Sequence, residues 1–311
     1  MQPMLATRAA TPADLPRGPE WAYEVKWDGV RLLADTTSGR LRLVTRNGRD
    51  ATVAYPELAG LSRLEGAVLD GEVVAMAGGI PSFEALAERM HVRDAARARA
   101  LADRAPVTLL VFDVLSLYGV DLTRRSFDER RATLERLELP VNVQLSPVYP
   151  DADELWDVTL QHGLEGVLAK RRTSVYQPGR RSADWIKAAH RTTRTALVGG
   201  WRVETTARDR IGSLLLGAPD ADGALRFLGR AGSGLGGPLA GRLAPLLEPL
   251  ERPSSPFGEV VPAVDARGAH WCEPTVLVDI TYLTRMRSGR MRQPVVRGVR
   301  DDAVVDPWED L

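Results

Sequence analysis

Three lysines, Lys26, Lys170 and Lys187, stand against 38 arginines in this 311-residue sequence. The chain uses arginine almost everywhere a positive charge suffices. Lysine differs in having a proton it can lose, and the neutral amine is a nucleophile. An ordinary lysine, with a pKa of about 10.4, is neutral only a few times in ten thousand at pH 7, and reaching that state costs roughly 4–5 kcal/mol. A working lysine nucleophile therefore needs positive charge nearby, from a second lysine, an arginine or a bound metal.

Lys26 lies in "EVKWDGVR" (24–31), at the end of a strand pattern and just before an Asp-Gly pair that reads as a hairpin turn. Other stretches offer partners. "TRNGRD" (45–50) carries Arg46, and "LDGEVV" (69–74) places Glu72 just past a second Asp-Gly turn. "LLVFDVL" (109–115) sets Phe112 and Asp113 at consecutive strand positions, hence on opposite faces. "LEGVLAKRR" (164–172) holds Glu165 and Lys170 on one strand, and "DWIKAAH" (184–190) holds Lys187. Each also has an ordinary reading: Glu72 as a solvated turn acid, Phe112 as core, Lys170 as the head of a basic run.

The elements that must position these residues follow from pattern. Residues 21–50 alternate, with Asp-Gly, Ser-Gly and Asn-Gly turns, which predicts antiparallel sheet. Residues 67–76 repeat strand, turn, strand. A helix is expected over 82–104, a buried strand over 106–117, a helix opened by the Ser126–Glu129 capping box, a helix over 152–162 and a strand over 165–172. Beyond residue 190 strands follow one another between Gly-rich turns, with a helix only at 238–250, as in a β-barrel or sandwich of roughly 110 residues. The expected organisation is an α+β domain over 1–191 and an all-β domain over 192–311.

Composition narrows the class. With 44% apolar and 26% charged residues the chain is of the globular type, and no run approaches the roughly 18 apolar residues of a membrane helix. The N-terminus has no apolar signal segment. One cysteine, Cys272, forms no internal disulfide and no thiolate zinc site, and four scattered histidines make no metal cluster. A cytoplasmic protein is expected. Net charge is zero but unevenly placed: residues 285–300 hold six arginines and no acid, and residues 170–194 hold eight basic residues and one acid. Such stripes suit phosphate backbones, or else are solvated faces. The acidic last eleven residues read as a solvated end.

In order and spacing these motifs resemble those of the covalent nucleotidyltransferases, most closely the ATP-dependent DNA ligases, of a minimal bacterial type similar to the ligase module of bacterial end-joining enzymes. "KWDGVR", "TRNG", "LDGE", "VFDVL", "EGVLAK", "DWIK" and "RGVRDD" carry the resemblance across essentially the whole chain. It implies a nucleotidyltransferase domain with antiparallel sheets, then an OB-fold, and a monomer acting on nicked duplex DNA in the bacterial nucleoid alongside repair proteins. It implies ATP and Mg2+ or Mn2+ as cofactors. Lys26 would attack the α-phosphate and carry AMP; Glu24 would read the adenine amino group; Phe112 would stack on adenine. Arg31 and Arg46 would hold ribose and phosphate, Glu72 and Glu165 a metal or the ribose, Lys170 and Lys187 the α-phosphate. Arg287, Arg292, Arg297 and Arg300 would close on DNA or serve late steps. Two positions depart from the family: Ala189 and Ala303 stand where lysines are usual, which puts the first step in doubt, with Arg297 as a candidate substitute. An RNA ligase or capping guanylyltransferase, and a silent nucleic-acid-binding relic, are the rival readings. All three lysines fall on motif positions, which weighs against the relic.

Overall fold

The alternating segments become strands of two sheets whose facing sides carry the motif residues. The structure is a computed structural model describing residues 1–9, 11–77, 79–204, 210–300 and 304–308. Contacts divide the chain into two units, Met1–His190 and Arg191–Leu311.

The strands of the first unit used below are β1 (Leu5–Arg8), β2 (Trp21–Val25), β3 (Val30–Asp35), β4 (Arg42–Thr45), β5 (Val68–Ala77), β6 (Val107–Leu117), β7 (Val148–Tyr149), β8 (Gly166–Arg171) and β9 (Arg181–Ala189). One five-stranded sheet runs β1-β9-β8-β2-β7, antiparallel except where β1 lies parallel to β9. A seven-stranded sheet is built on β4-β3-β5-β6. The outer side of the first sheet packs Tyr23, Val25, Val167, Ala169 and Ala188 against Ala152 and Leu155 of a helix, Ala152–Gln161. The outer side of the second buries Leu32, Leu43, Val73 and Val111 with Leu58, Leu86 and Leu134. Between the sheets, Met4, Leu33, Val68, Phe112, Leu115, Tyr176 and Trp185 form a third cluster. Trp185 is almost wholly enclosed there; removing such a side chain costs about 3–5 kcal/mol.

Local signals act as expected in several places. Ser126 and Glu129 close the capping box of the helix Phe127–Leu134, and Asp151 caps Ala152–Gln161. Three expectations are corrected. The span 82–104 is two helices, Phe83–Ala87 and Ala95–Arg104, because Asp94 caps a fresh start by accepting from the Arg97 amide at 2.7 Å. Asp28–Gly29 is no hairpin turn: β2 pairs with β8 and β7, β3 with β4 and β5, so the pair carries the chain from one sheet to the other. Its glycine is there for close approach, since a Cβ on Gly29 would stand 2.0 Å from the Val73 carbonyl oxygen. Asp70–Gly71 is no turn either; β5 runs straight through, because it is hydrogen-bonded to β3 on one side and β6 on the other.

The second unit curls β10 (Thr192–Val203), β11 (Ile211–Pro219), β12 (Leu225–Ala231), β13 (Leu277–Tyr282) and β14 (Val295–Arg300) into a sheet ordered β12-β11-β10-β13-β14. A bridge from Ser233 to Val295 joins its two ends, so the sheet closes as a barrel. A helix, Gly237–Leu247, lies between the third and fourth strands and buries Leu243 and Leu247 in the barrel core. This is the five-stranded barrel order of an OB-fold. The described part of the acidic tail is not merely solvated: the Trp308 amide donates to Pro219 O at 2.7 Å, its ring packs 4.6 Å from the Arg285 guanidinium, and Asp306 accepts from the Thr195 amide at 2.7 Å. Asp301, Asp302 and Ala303 lie outside the described residues.

Candidate nucleotide-binding and active site

Lys26 follows the last residue of β2, and its backbone amide is fixed by the Gly166 carbonyl at 2.8 Å. Gly166 has a φ of +146°, and a Cβ there would stand 2.2 Å from Ala188 O, so only glycine lets the β8 entrance press this close. The reward is adjacency: Glu165, just before it, ion-pairs with the Lys26 ammonium. The lysine side chain stays 20% exposed, within reach of solvent and substrate.

Two further groups belong to this end. Glu72 sits on β5 opposite Arg31 of β3. Burial, with Glu165 and Asp70 adding repulsion, pushes its carboxyl up to about 8 despite Arg31 and Lys26. Lys187 on β9 lies beside Leu168 of β8. Burial, then Lys26, with Arg181 and Arg46 behind, draws its pKa down, against the pull of Glu165. Arg46 itself is exposed on the turn after β4. The lysine neighbour demanded by a nucleophilic amine is therefore present in Lys187.

A second, buried centre lies deeper between the sheets. Arg31 grips Asp70 with both ends of its guanidinium, at 2.9 and 2.6 Å. Burial opposes that charge, but Asp70 outweighs it and holds the guanidinium above its ordinary pKa. Tyr176 donates to the same carboxylate at 2.6 Å. Asp70 pairs with Asp113 and Gly71 with Val111, leaving Phe112 as the extra residue of a β-bulge. The bulge overturns the expected alternation. Phe112 packs on Trp185 at 6.2 Å with Arg31 over its ring, while Asp113 binds the wholly buried Arg130, itself 5.7 Å from the Tyr176 ring. Both side chains thus reach one cluster.

Lys170 belongs to this centre and not to the Lys26 end. It pairs with Ala22, four residues back along β2 from Lys26, about 13 Å at strand rise. Its ammonium is fully buried, 2.7 Å from Glu24 Oε1 and 3.2 Å from the Phe112 carbonyl oxygen. Burial pushes Lys170 down and Glu24 up, and each opposes that drift in the other. Its enclosed ammonium thus lies with Glu24, which is equally buried, rather than beside Lys26.

Sequence reasoning missed Asp70, Tyr176, Ser146, Trp27 and Trp185. Asp70 and Trp185 stood inside quoted motifs, in "LDGE" and "DWIK", and were legible there. Tyr176 gave no signal, since its partner Asp70 lies 106 residues away.

Glu165 pairs with Lys26 and Glu72 feels its charge, and among the described residues no group of three or more His, Cys, Asp or Glu forms a closed metal cage. A pair of hard oxygen donors fits magnesium, which binds through one or two carboxylates and completes its shell with water and substrate phosphates. In the second unit, Arg287 is exposed on the turn between the short strands Thr284–Arg285 and Met291–Arg292, and Arg292 lies half-buried on the latter. On β14, Arg297 is exposed and donates to Thr281 at 2.9 Å, and Arg300 ion-pairs with Asp279 at 3.0 Å.

Among the described residues no helix is long and apolar enough to cross a membrane. Residues 3–188 match the ATP dependent DNA ligase domain, and residues 207–303 the ATP dependent DNA ligase C terminal region. The chain is 39% identical over 308 residues to the multifunctional non-homologous end joining DNA repair protein LigD of Mycobacterium tuberculosis, covering 97% of this chain and 39% of that protein. It thus spans about two fifths of the length of that relative. DNA ligase C of the same organism is 36% identical over 227 residues, 69% of this chain and 63% of that one. The crystal structure of the M. tuberculosis LigD ligase domain aligns at a TM-score of 0.55 with 37% identity, over 97% of this chain and 95% of that chain. A Lig E DNA ligase aligns at 0.67 with 18% identity, over 96% and 99%, a likeness of fold. The two matched regions take in most of the sequence and both units, and this chain belongs to the ATP-dependent DNA ligase family.

Proposed function

We propose that this protein seals nicks in duplex DNA with ATP, through three transfers. The Lys26 amine, deprotonated, attacks the α-phosphorus; a P–N bond forms and pyrophosphate leaves. The 5′-phosphate of the nick then takes AMP from Lys26, forming a P–O–P link. Finally the 3′-hydroxyl attacks that 5′-phosphate, loses its proton, and AMP departs. The observation that carries this reading is the setting of Lys26: an accessible amine beside Glu165, with Lys187 close enough to feel its charge.

Lys187 and Arg46 supply positive charge where the α-phosphate would lie, which favours both the neutral amine and the charge on the transferring group. Glu72 and Glu165 would hold a magnesium or manganese ion, which when bound neutralises phosphate charge. Arg31 would hold ribose and, later, the 5′-phosphate. Phe112 and Glu24 would stack on and read adenine. Arg287, Arg292, Arg297 and Arg300 would meet the duplex backbone, giving affinity with little sequence preference. The proposed setting is a cytoplasmic monomer at the bacterial nucleoid, and the similarity to end-joining proteins supports a role in break repair beside partner repair proteins.

The test is sealing of a nicked duplex with ATP, GTP and NAD compared, on DNA and RNA strands. Sealing of DNA with ATP is expected. Sealing confined to RNA strands would favour the RNA ligase instead, and the absence of sealing with ATP on any strand would overturn the proposal.

A further inference from the structure

Lys170 lies deeper between the sheets than Lys26, and its surroundings are unusually complete. Its ammonium touches Glu24 Oε1 and the Phe112 carbonyl oxygen, and lies 4.4 Å from the Phe112 ring, 4.5 Å from Trp185 and 5.1 Å from Phe127. Three rings thus surround a compact point charge. The same ammonium ties the carboxylate of β2 to the backbone that carries the Phe112 ring.

The other oxygen of Glu24 is held differently. Glu24 Oε2 receives only a long bond, 3.3 Å, from the Ser146 hydroxyl. That hydroxyl accepts from Trp27 Nε1 at 3.0 Å, and Arg131 anchors the Ser146 carbonyl at 2.6 Å. Glu24 thus has one oxygen committed to Lys170 and one weakly engaged.

We propose that Lys170 is a positioning residue for base selection: by holding Glu24 Oε1 it keeps the carboxylate an acceptor and leaves Oε2 for the amino group of adenine, against the carbonyl of guanine. This rests on the reading of Glu24 as the base-reading residue. The chemistry is a donor–acceptor match. Adenine offers an N6 amino donor where guanine offers the O6 acceptor. An ionised carboxylate only accepts, whereas a protonated one also donates and would tolerate guanine. Burial without a cation favours the protonated form, and Lys170 opposes it.

The experiment compares wild type, Glu24→Gln and Glu24→Gln/Lys170→Met. It reads the lysyl adduct formed with α-labelled ATP or GTP and, independently of chemistry, the thermal shift each nucleotide produces. In Glu24→Gln, Lys170 still donates to Oε1, so the amide is pinned with its NH2 in the Oε2 position, facing the base as a donor. The ATP-over-GTP preference is expected to fall by about 100-fold, the scale at which mismatched hydrogen-bonding groups discriminate. The double variant removes both charges of this buried pair and is expected to fold. Its amide is free to flip and to present its carbonyl oxygen to adenine, so the preference should move back toward ATP by about tenfold or more relative to Glu24→Gln. An unchanged preference in Glu24→Gln overturns the base-reading role of Glu24, and the proposal with it. A shifted preference that is the same in the double variant leaves that role standing and overturns the role of Lys170.

Discussion

The Lys26 ammonium is ion-paired with Glu165, and its own backbone amide is bonded to the carbonyl of the next residue, Gly166. One short stretch therefore sets both the position and the ion-pair partner of the proposed nucleophile. In the proposed step the Lys26 amine leaves this ion pair, with Glu165 engaged by a metal cation or by substrate. Lys187, with its ammonium disfavoured by burial and by Lys26, is the counterweight.

Lys26→Ala is expected to abolish the adduct with α-labelled ATP, and Lys26→Arg to do the same, because guanidinium does not deprotonate. Gel detection of the covalent label decides it; a labelled Lys26→Ala protein would show that another residue carries AMP.

Glu165→Gln is expected to slow adduct formation at least tenfold while thermal unfolding moves little, since partly exposed pairs contribute about 0–1 kcal/mol. Stopped-time labelling together with a thermal melt separates the two effects. A large fall in melting temperature with normal labelling would assign Glu165 to stability.

Lys170→Met leaves Glu24 buried without its cation, at a cost of about 3–5 kcal/mol. The melting temperature should fall by roughly 10 °C, and adding Glu24→Gln should restore most of it. Equal melting of the single and double variants would mean that the pair carries no coupling.

Arg287 and Arg297, both exposed in the second unit, are expected to contribute phosphate contacts. Replacing either with Ala should weaken nick binding and lower the salt slope of log K by about one. A loss independent of salt would point away from phosphate.

Cys272 is fully buried, and burial, with Glu273 adding, pushes its thiol up to about 12. A thiol reagent at pH 8 should find no reactive cysteine until denaturant is added. The folded state keeps a proton that the unfolded thiol releases above its ordinary pKa of 9.0. The stabilisation is therefore whole below pH 9 and is lost as pH rises toward 12, at about 1.4 kcal/mol per unit. Urea melts at pH 8 and 10 measure it.

What the sequence by itself determined was chemistry and local form. Three lysines among arginines, and motifs in family order, singled out Lys26, Glu72, Glu165 and Lys187, which the fold brings to one end. Capping at Ser126 and the strand succession after residue 190 were equally legible, because caps and alternation depend on neighbours in sequence. Tertiary structure decided the rest. Asp28–Gly29 and Asp70–Gly71 carry the same dipeptide, yet one crosses between sheets and the other runs inside a strand, because strand pairing settles the conformation of a glycine that the dipeptide leaves open. The bulge at Phe112 depends on register with β5, and the partner of Lys170 on a carboxylate 146 residues away. Charge type is written in sequence; which charge meets which, and in how little water, is settled only when the two sheets close on one another.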